Sequence, residues 1–138
     1  MSGFSNSSAN AIINNHLRGQ AAPAIRNLYF ALFTADPTDA FSAGVEVVAP
    51  WYIRKLTGAW ASPTNGVTFN TTRVEFPAVT GASVVITHIG IVEGASAGDG
   101  TATLLYSHAL SEPKALGIND VYLVDSQGTS GDYTLTLV

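Results

Sequence analysis

Cysteine is absent from this 138-residue chain. Its absence removes a disulfide framework and any thiolate metal centre, and with them a reading of redox compartment. Charge is the next scarcity: Asp, Glu, Lys and Arg make up 12% of the residues, where soluble domains usually carry about 25%. Six Lys and Arg against ten Asp and Glu leave a formal net charge of −4 and a pI near 5.1. So few cations build no positive field for a phosphate backbone, which excludes nucleic-acid binding as the main task. No apolar run approaches the roughly 20 residues that cross a bilayer, so a membrane span is not expected. The start, Met1-Ser2-Gly3-Phe4-Ser5-Asn6, lacks the basic and apolar regions of a signal peptide, and synthesis in the cytoplasm is the expectation.

What is present is apolar matter. Hydrophobic residues make up 46% of the chain and its mean hydropathy is +0.24. A chain of this size buries roughly two-thirds of its unfolded surface, enough for one core. The composition divides it into an N-terminal arm with a short helix, residues 1–27, and a single body over residues 28–138. In the arm, Ala9 to Arg18 reads as a helix with Ser7 or Ser8 as N-cap and Gly19 just past its end. Ile13 and Leu17 stand four apart with Ile12 beside them, a narrow apolar stripe. A helix this short is marginal alone and docks on its own body or on a neighbour.

From Leu28 the pattern becomes that of strands. Leu28 to Thr34 is apolar on both faces, as in the middle of a sandwich, and Asp36-Pro37-Thr38-Asp39 ends it with turn chemistry. Trp51 to Leu56 follows Pro50 and reads as a strand start or edge. Val67 to Phe69 and Arg73 to Phe76 alternate apolar and polar. Ser83 to Val92 is the strongest strand, joined by a Gly-rich mobile tip, Glu93 to Gly100, to Thr103–Ser107 in a hairpin. Asp120 to Val124 and Tyr133 to Leu137 complete the set, with a turn from Gln127 to Gly131 between them. About eight short strands at near-regular spacing predict a mostly β fold, one β-sandwich or jelly roll preceded by a flexible arm.

The search for chemistry yields little. His16, His88 and His108 have no close spacing for a metal face, and His88 lies in the most apolar strand as a packing histidine. His108 could pair with Ser107 or Glu112, but adjacency in sequence is not triad geometry. The carboxylates are scattered: Asp36 and Asp39 fit a turn, while Glu46, Glu75, Glu93 and Asp132 read as solvated or interfacial positions. The stretch Gly94 to Gly100 lacks the Gly-Lys-Ser/Thr ending of a phosphate loop and precedes a strand. Asn6-Ser7-Ser8 and Asn70-Thr71-Thr72 match the glycosylation sequon without a secretion signal beside them. No catalytic, metal or cofactor-binding residue is assigned.

Aromatics offer more. Trp51, Tyr52 and Trp60 fall close together and suit either a core or a contact surface, such as a sugar platform or an interface. Trp51 reads better as core; Trp60 stays open between the two. Arg54 and Lys55 form a small cationic spot that could meet an acidic neighbour. The candidate interface is therefore Ile12, Ile13, Leu17, Trp51, Arg54, Lys55 and Trp60.

Five blocks carry a resemblance. Leu28-Tyr29-Phe30-Ala31-Leu32-Phe33-Thr34-Ala35-Asp36-Pro37-Thr38-Asp39 is followed by Glu46 with Tyr52-Ile53-Arg54. Val74-Glu75-Phe76-Pro77, Thr87-His88-Ile89-Gly90-Ile91, and Leu104-Leu105-Tyr106 with Pro113-Lys114 follow in order. From Leu28 onward the chain resembles a family of small tailed-bacteriophage virion proteins, often labelled phage tail fibre proteins. It departs from the usual pattern at Phe41 to Pro50 and in a longer turn near Gln127-Gly128. The resemblance implies a virion structural protein without catalytic residues, made in the host cytoplasm and joined to major capsid or tail proteins and to further copies of itself. Size and an arm from Met1 to Arg26 suggest a capsid cement or decoration protein bridging shell subunits. A tail-associated fibre or adaptor module is the alternative, and a carbohydrate-binding module centred on Trp60 a second.

Overall fold

The computed structural model describes residues 3–41, 44–127, 130–131 and 133–136. Expectations that rest on Met1, Ser2, Gly128, Thr129, Asp132 and Leu137 lie outside the described residues. The elements in chain order are β1 (Gly3–Phe4), α1 (Asn6–Arg18), β2 (Asn27–Phe33), β3 (Lys55–Leu56), β4 (Val67–Phe69) and β5 (Val74–Glu75). Then come β6 (Val84–Gly94), β7 (Thr103–Leu116), β8 (Leu123–Val124), β9 (Ser126–Gln127), β10 (Ser130–Gly131) and β11 (Thr134–Thr136). The fold is mostly β with one short helix. The eight expected strands are β2 to β8 and β11; the three added ones are two-residue segments that alternation cannot mark.

One antiparallel sheet in the order β1-β7-β6-β2-β3 forms the main layer. Two short ladders stand apart from it, β4 with β11 and β5 with β8, and the second supplies Val74 and Val124 to the core that covers one face of that sheet. β2 has apolar residues in both phases because both faces of the sheet are covered. Phe30 and Leu32 face the larger core with Ile89, Ile91, Val74, Phe76, Val124 and Tyr133. Tyr29, Ala31 and Phe33 face a smaller core with Val92 and Leu104, closed by Phe41, Val45, Ala97 and Ala102.

The β6–β7 hairpin forms as expected, but β7 runs on to Leu116 rather than ending at Ser107. Its continuation is irregular, which hides it from a period-2 reading. Ile86 pairs with Lys114 and His88 with Ala109, so four residues of β7 oppose one of β6. Pro113, with no N–H to give a ladder, sits in that bulge. A second irregularity between Ile91 and Val92 leaves Leu105 unmatched. It turns Leu104 to the smaller core and Tyr106 to the larger. By contrast, the expected strand from Trp51 shrinks to Lys55–Leu56, because Trp51 lies in a turn.

The helix begins earlier than expected. Its N-cap is Ser5, whose Oγ accepts from the Ser8 N–H at 3.2 Å, in place of Ser7 or Ser8. Gly19 closes it as expected, at φ 63°, a left-handed conformation that suits glycine. The free arm is corrected at both of its ends. β1 pairs with β7 at Ser107 and Tyr106, the Ser5 N–H donates to the Leu105 carbonyl at 2.9 Å, and Phe4 packs on Tyr106. At the other end Arg26 is held by an ion pair, and Asn27 already belongs to β2. Between these anchors residues 19–26 are exposed.

Candidate functional site

Three of the blocks that carry the family resemblance meet beside β2 through Leu32, Glu46, Tyr52, Arg54 and Phe76. Tyr52 O–H donates to Glu46 Oε1 at 2.7 Å, and Arg54 grips both Glu46 oxygens through Nε and Nη2, each at 2.7 Å. The Tyr52 oxygen in turn accepts the Leu32 N–H at 3.2 Å, and Arg54 Nη1 donates to the Asp99 carbonyl. Phe76 stacks on Tyr52 with ring planes 6° apart. Burial pushes the Tyr52 hydroxyl above its ordinary range, and the Glu46 carboxylate beside it adds to the rise. A phenol held this firmly in its protonated form is a hydrogen-bond donor and not a base. Glu46 is therefore an internal anchor, unlike the solvated or interfacial position its sequence neighbours suggest. Its signal was the pairing of a lone Glu with Tyr-x-Arg, which only the fold closes.

Arg54 is spoken for by this network, its side chain 11% exposed, and is not available as a cation to a neighbour. Lys55 remains at the sheet edge. Trp51 is buried in the larger core, 7% exposed, as its core reading has it. Trp60 packs its indole against Phe30 and Tyr133, and its Nε1–H donates to Thr57 Oγ1 at 3.1 Å. That arrangement half-buries the indole and engages its N–H within the chain. Ile12 is half-buried, whereas Ile13 and Leu17 on the same helix are exposed. The structure thus separates the candidate interface residues into an internal set around β2 and an outer set on α1 and β3.

A second ionic knot ties the arm to the β6–β7 loop. Arg26 meets Glu93 through Nε at 2.6 Å and Asp99 through Nη1 at 3.5 Å. Asp99 Oδ2 accepts the Ala95 N–H and Oδ1 the Thr101 N–H and hydroxyl. The Gly-rich tip, expected to be mobile, is pinned by these bonds. Backbone and hydroxyl donors hold Asp99 at a pKa of about 2, and the Arg26 bonds hold Glu93 below the usual carboxylate range. Both groups bind protons more weakly when folded, so their stabilisation is complete above the ordinary carboxylate pKa and is lost as pH falls through the folded values. Thermal melts should accordingly fall steeply between about pH 4 and 2, after a smaller loss below about pH 7 that comes from His108, whose depressed pKa makes the unfolded chain take up its proton first. An Arg26→Ala variant should show a shallower fall, and an unchanged slope would refute the role of the knot.

The histidines do not form a catalytic or metal set. His88 Nδ1 shares a hydrogen bond with Thr87 Oγ1, and His108 packs on Tyr133 with ring centroids 4.5 Å apart. Burial lowers the His108 pKa. By strand register Ser107 turns to the opposite face of β7 from His108, so the two do not pair. Among the described residues no three His, Asp or Glu side chains are placed to hold a metal ion, and no helix is long and apolar enough to cross a membrane. A cleft of about 690 Å³ opens beside the irregular part of β7, lined by His108, Leu110, Lys114, Leu116, Val121 and Tyr122 among others.

Comparison with known proteins bears on this arrangement. None of the curated proteins matches the chain. A family model described as podophage GP4 fiber I protein gp80 matches residues 3–131, which spans the arm, the Glu46 network, the Arg26 knot and the cleft. The chain belongs to the podophage GP4 fiber I protein gp80 family, and with it to the fibre-type virion proteins of bacteriophage.

Proposed function

We propose that this chain is a non-enzymatic structural module of a phage fibre, held in the virion by tail proteins and by further copies of itself. The observation that carries the reading is where the polar residues of the family-like blocks are spent. Glu46, Tyr52 and Arg54 satisfy one another, and Gly90 and Phe76 serve packing. What is left on the surface is short edges, an exposed helix stripe and few charges. Such a surface packs against neighbours without desolvating many ions, which is costly where partners are imperfect.

A capsid cement role, bridging major capsid protein subunits, is the other reading. Its motive was a free arm able to staple neighbours, and the arm is tied to the sheet through Gly3–Phe4 and Arg26. The glycan platform at Trp60 likewise has its indole half-buried against Phe30 and Tyr133 and its N–H bonded to Thr57. Counting copies in purified virions by quantitative mass spectrometry tests the proposal. A fibre module is present in a small multiple of the tail symmetry. Hundreds of copies per particle would overturn it in favour of cement.

A further inference from the structure

Helix α1 presents apolar surface that its own fold leaves bare. Ile13 is 51% and Leu17 81% exposed, one turn apart on the helix. Arg18 beside them donates to Asn14 Oδ1 and meets no carboxylate among the described residues. The charge of the chain is also unevenly spread. Residues 1–35 hold two arginines and no acid, a net +2, whereas residues 36–138 hold ten acids and four basic residues, a net −6.

A surface of matching character lies on the connection between β7 and β8. Ile118 and Val121 are 58% and 46% exposed. Two exposed carboxylates stand next in sequence to residues that line the cleft, Asp120 beside Val121 and Glu112 beside Ser111, with no cationic partner among the described residues. The cleft of about 690 Å³ opens here, walled by Leu110 and Leu116, with Lys114 also on its lining. The β7 bulge shapes it, since Leu110 and Ser111 of the displaced residues form part of that wall.

We propose that α1 of one copy seats in this cleft of a second copy. Ile13 and Leu17 act as the i, i+4 anchors of a helix in an apolar groove, and Arg18 meets the Asp120 and Glu112 carboxylates. Lys114 complements the carbonyl end of the helix. Two different surfaces meet, so the contact is head-to-tail and closes into a ring or extends as a filament. The inference rests on the structural-module reading in one respect, naming a second copy as one of the module's partners.

Sedimentation velocity on the full chain across the micromolar range tests it, with Leu17→Asp and Val121→Asp as variants. Both positions are exposed, so both variants should keep the circular dichroism and melting behaviour of the parent. The parent should assemble with concentration, and each variant alone should associate about 30-fold or more weakly, the loss of one buried aliphatic anchor. Mixed one to one, the variants should form a dimer and nothing larger, because each keeps one intact surface. A parent that stays monomeric, variants that assemble like the parent, or a mixture that stays monomeric each overturn the proposal. A monomeric parent found in virions at fibre copy number would leave the structural-module reading standing.

Discussion

Arg54→Ala should lower the stability of the fold by about 3–5 kcal/mol, the usual loss when one partner of a buried ion pair is removed. The side chains of Arg54 and Glu46 are only 11% and 17% exposed, so the Glu46 carboxylate would stay buried with the Tyr52 hydroxyl donating to it but without its cation. The loss spreads beyond the pair. Arg54 also holds the Asp99 carbonyl, and Tyr52 bonds the Leu32 backbone and stacks on Phe76, so β2, β5 and the β6–β7 loop all feel the removal. Arg54→Lys should recover little, because an ammonium cannot grip both carboxylate oxygens. Arg73→Ala is the internal control. Its pair with Glu75 has the same length class, 2.9 Å, but both side chains are 59% exposed, and such pairs contribute about 0–1 kcal/mol. Urea denaturation of the three variants reads the difference directly. A midpoint for Arg54→Ala matching that of Arg73→Ala would show that the Glu46 network is not the clamp described.

Gly90→Ala should destabilise by about 2 kcal/mol or more, the cost of overpacking a filled interior. Within a strand the exchange ordinarily helps by up to about 1 kcal/mol, because alanine loses less backbone freedom on folding. The sign reverses here because of what crosses above Gly90. A Cβ at that position would lie 2.8 Å from the Tyr106 carbonyl oxygen, 3.0 Å from Phe33 Cε2 and 3.1 Å from Leu104 Cδ1. The register places Gly90 in a row of small residues across four strands, Ala31, Gly90, Ser107 and Gly3. That row leaves room for the Phe33 ring, which is fully buried. Gly98→Ala, with nothing within 4 Å of its Cβ, should be close to neutral. Equal melting temperatures for the two variants would refute the packing argument.

Much of the scaffold is legible in the residues themselves. β2 announces a doubly covered strand, and it is the centre from which both cores grow. Asp36 beside Pro37 announces a turn, and Asp36 Oδ1 accepts the Thr38 N–H at 2.8 Å. Gly19 announces the end of the helix for the same local reason. These features depend on a few neighbouring residues, and their energies are set by backbone conformation and side-chain period. The extension of β7 was not legible, because a bulge breaks the alternation on which strand recognition relies. Nor was the docked start of the chain. Gly3 and Phe4 carry no strand signal, and their pairing exists only because Ser107 and Tyr106 offer an edge.

The candidate site divides in the same way. The apolar stripe of α1 was readable from the spacing of Ile13 and Leu17, and it is indeed on the helix. That their side chains remain exposed follows from how the helix lies on the sheet, which spacing does not specify. Glu46 and Glu93 read in the sequence as solvated or interfacial acids. Each is instead bonded to an arginine, Glu46 to Arg54 eight positions on and Glu93 to Arg26 at a separation of 67 positions.

By itself the sequence determined the class of the protein: a cysteine-free, weakly charged β domain with no visible catalytic set and with the ordered blocks of a virion family. Those properties come from composition and local pattern, which folding does not alter. Tertiary structure decided what the scarce charges do. Of the six cationic side chains, Arg26, Arg54 and Arg73 are paired with carboxylates within the chain. Ion pairing and close packing act over a few ångströms in space, and chain order alone does not say which residues come that near. Only the fold could show that the arm is fastened, that the Tyr-x-Arg block is an internal clamp, and that the exposed matter lies on α1 and beside the bulge of β7.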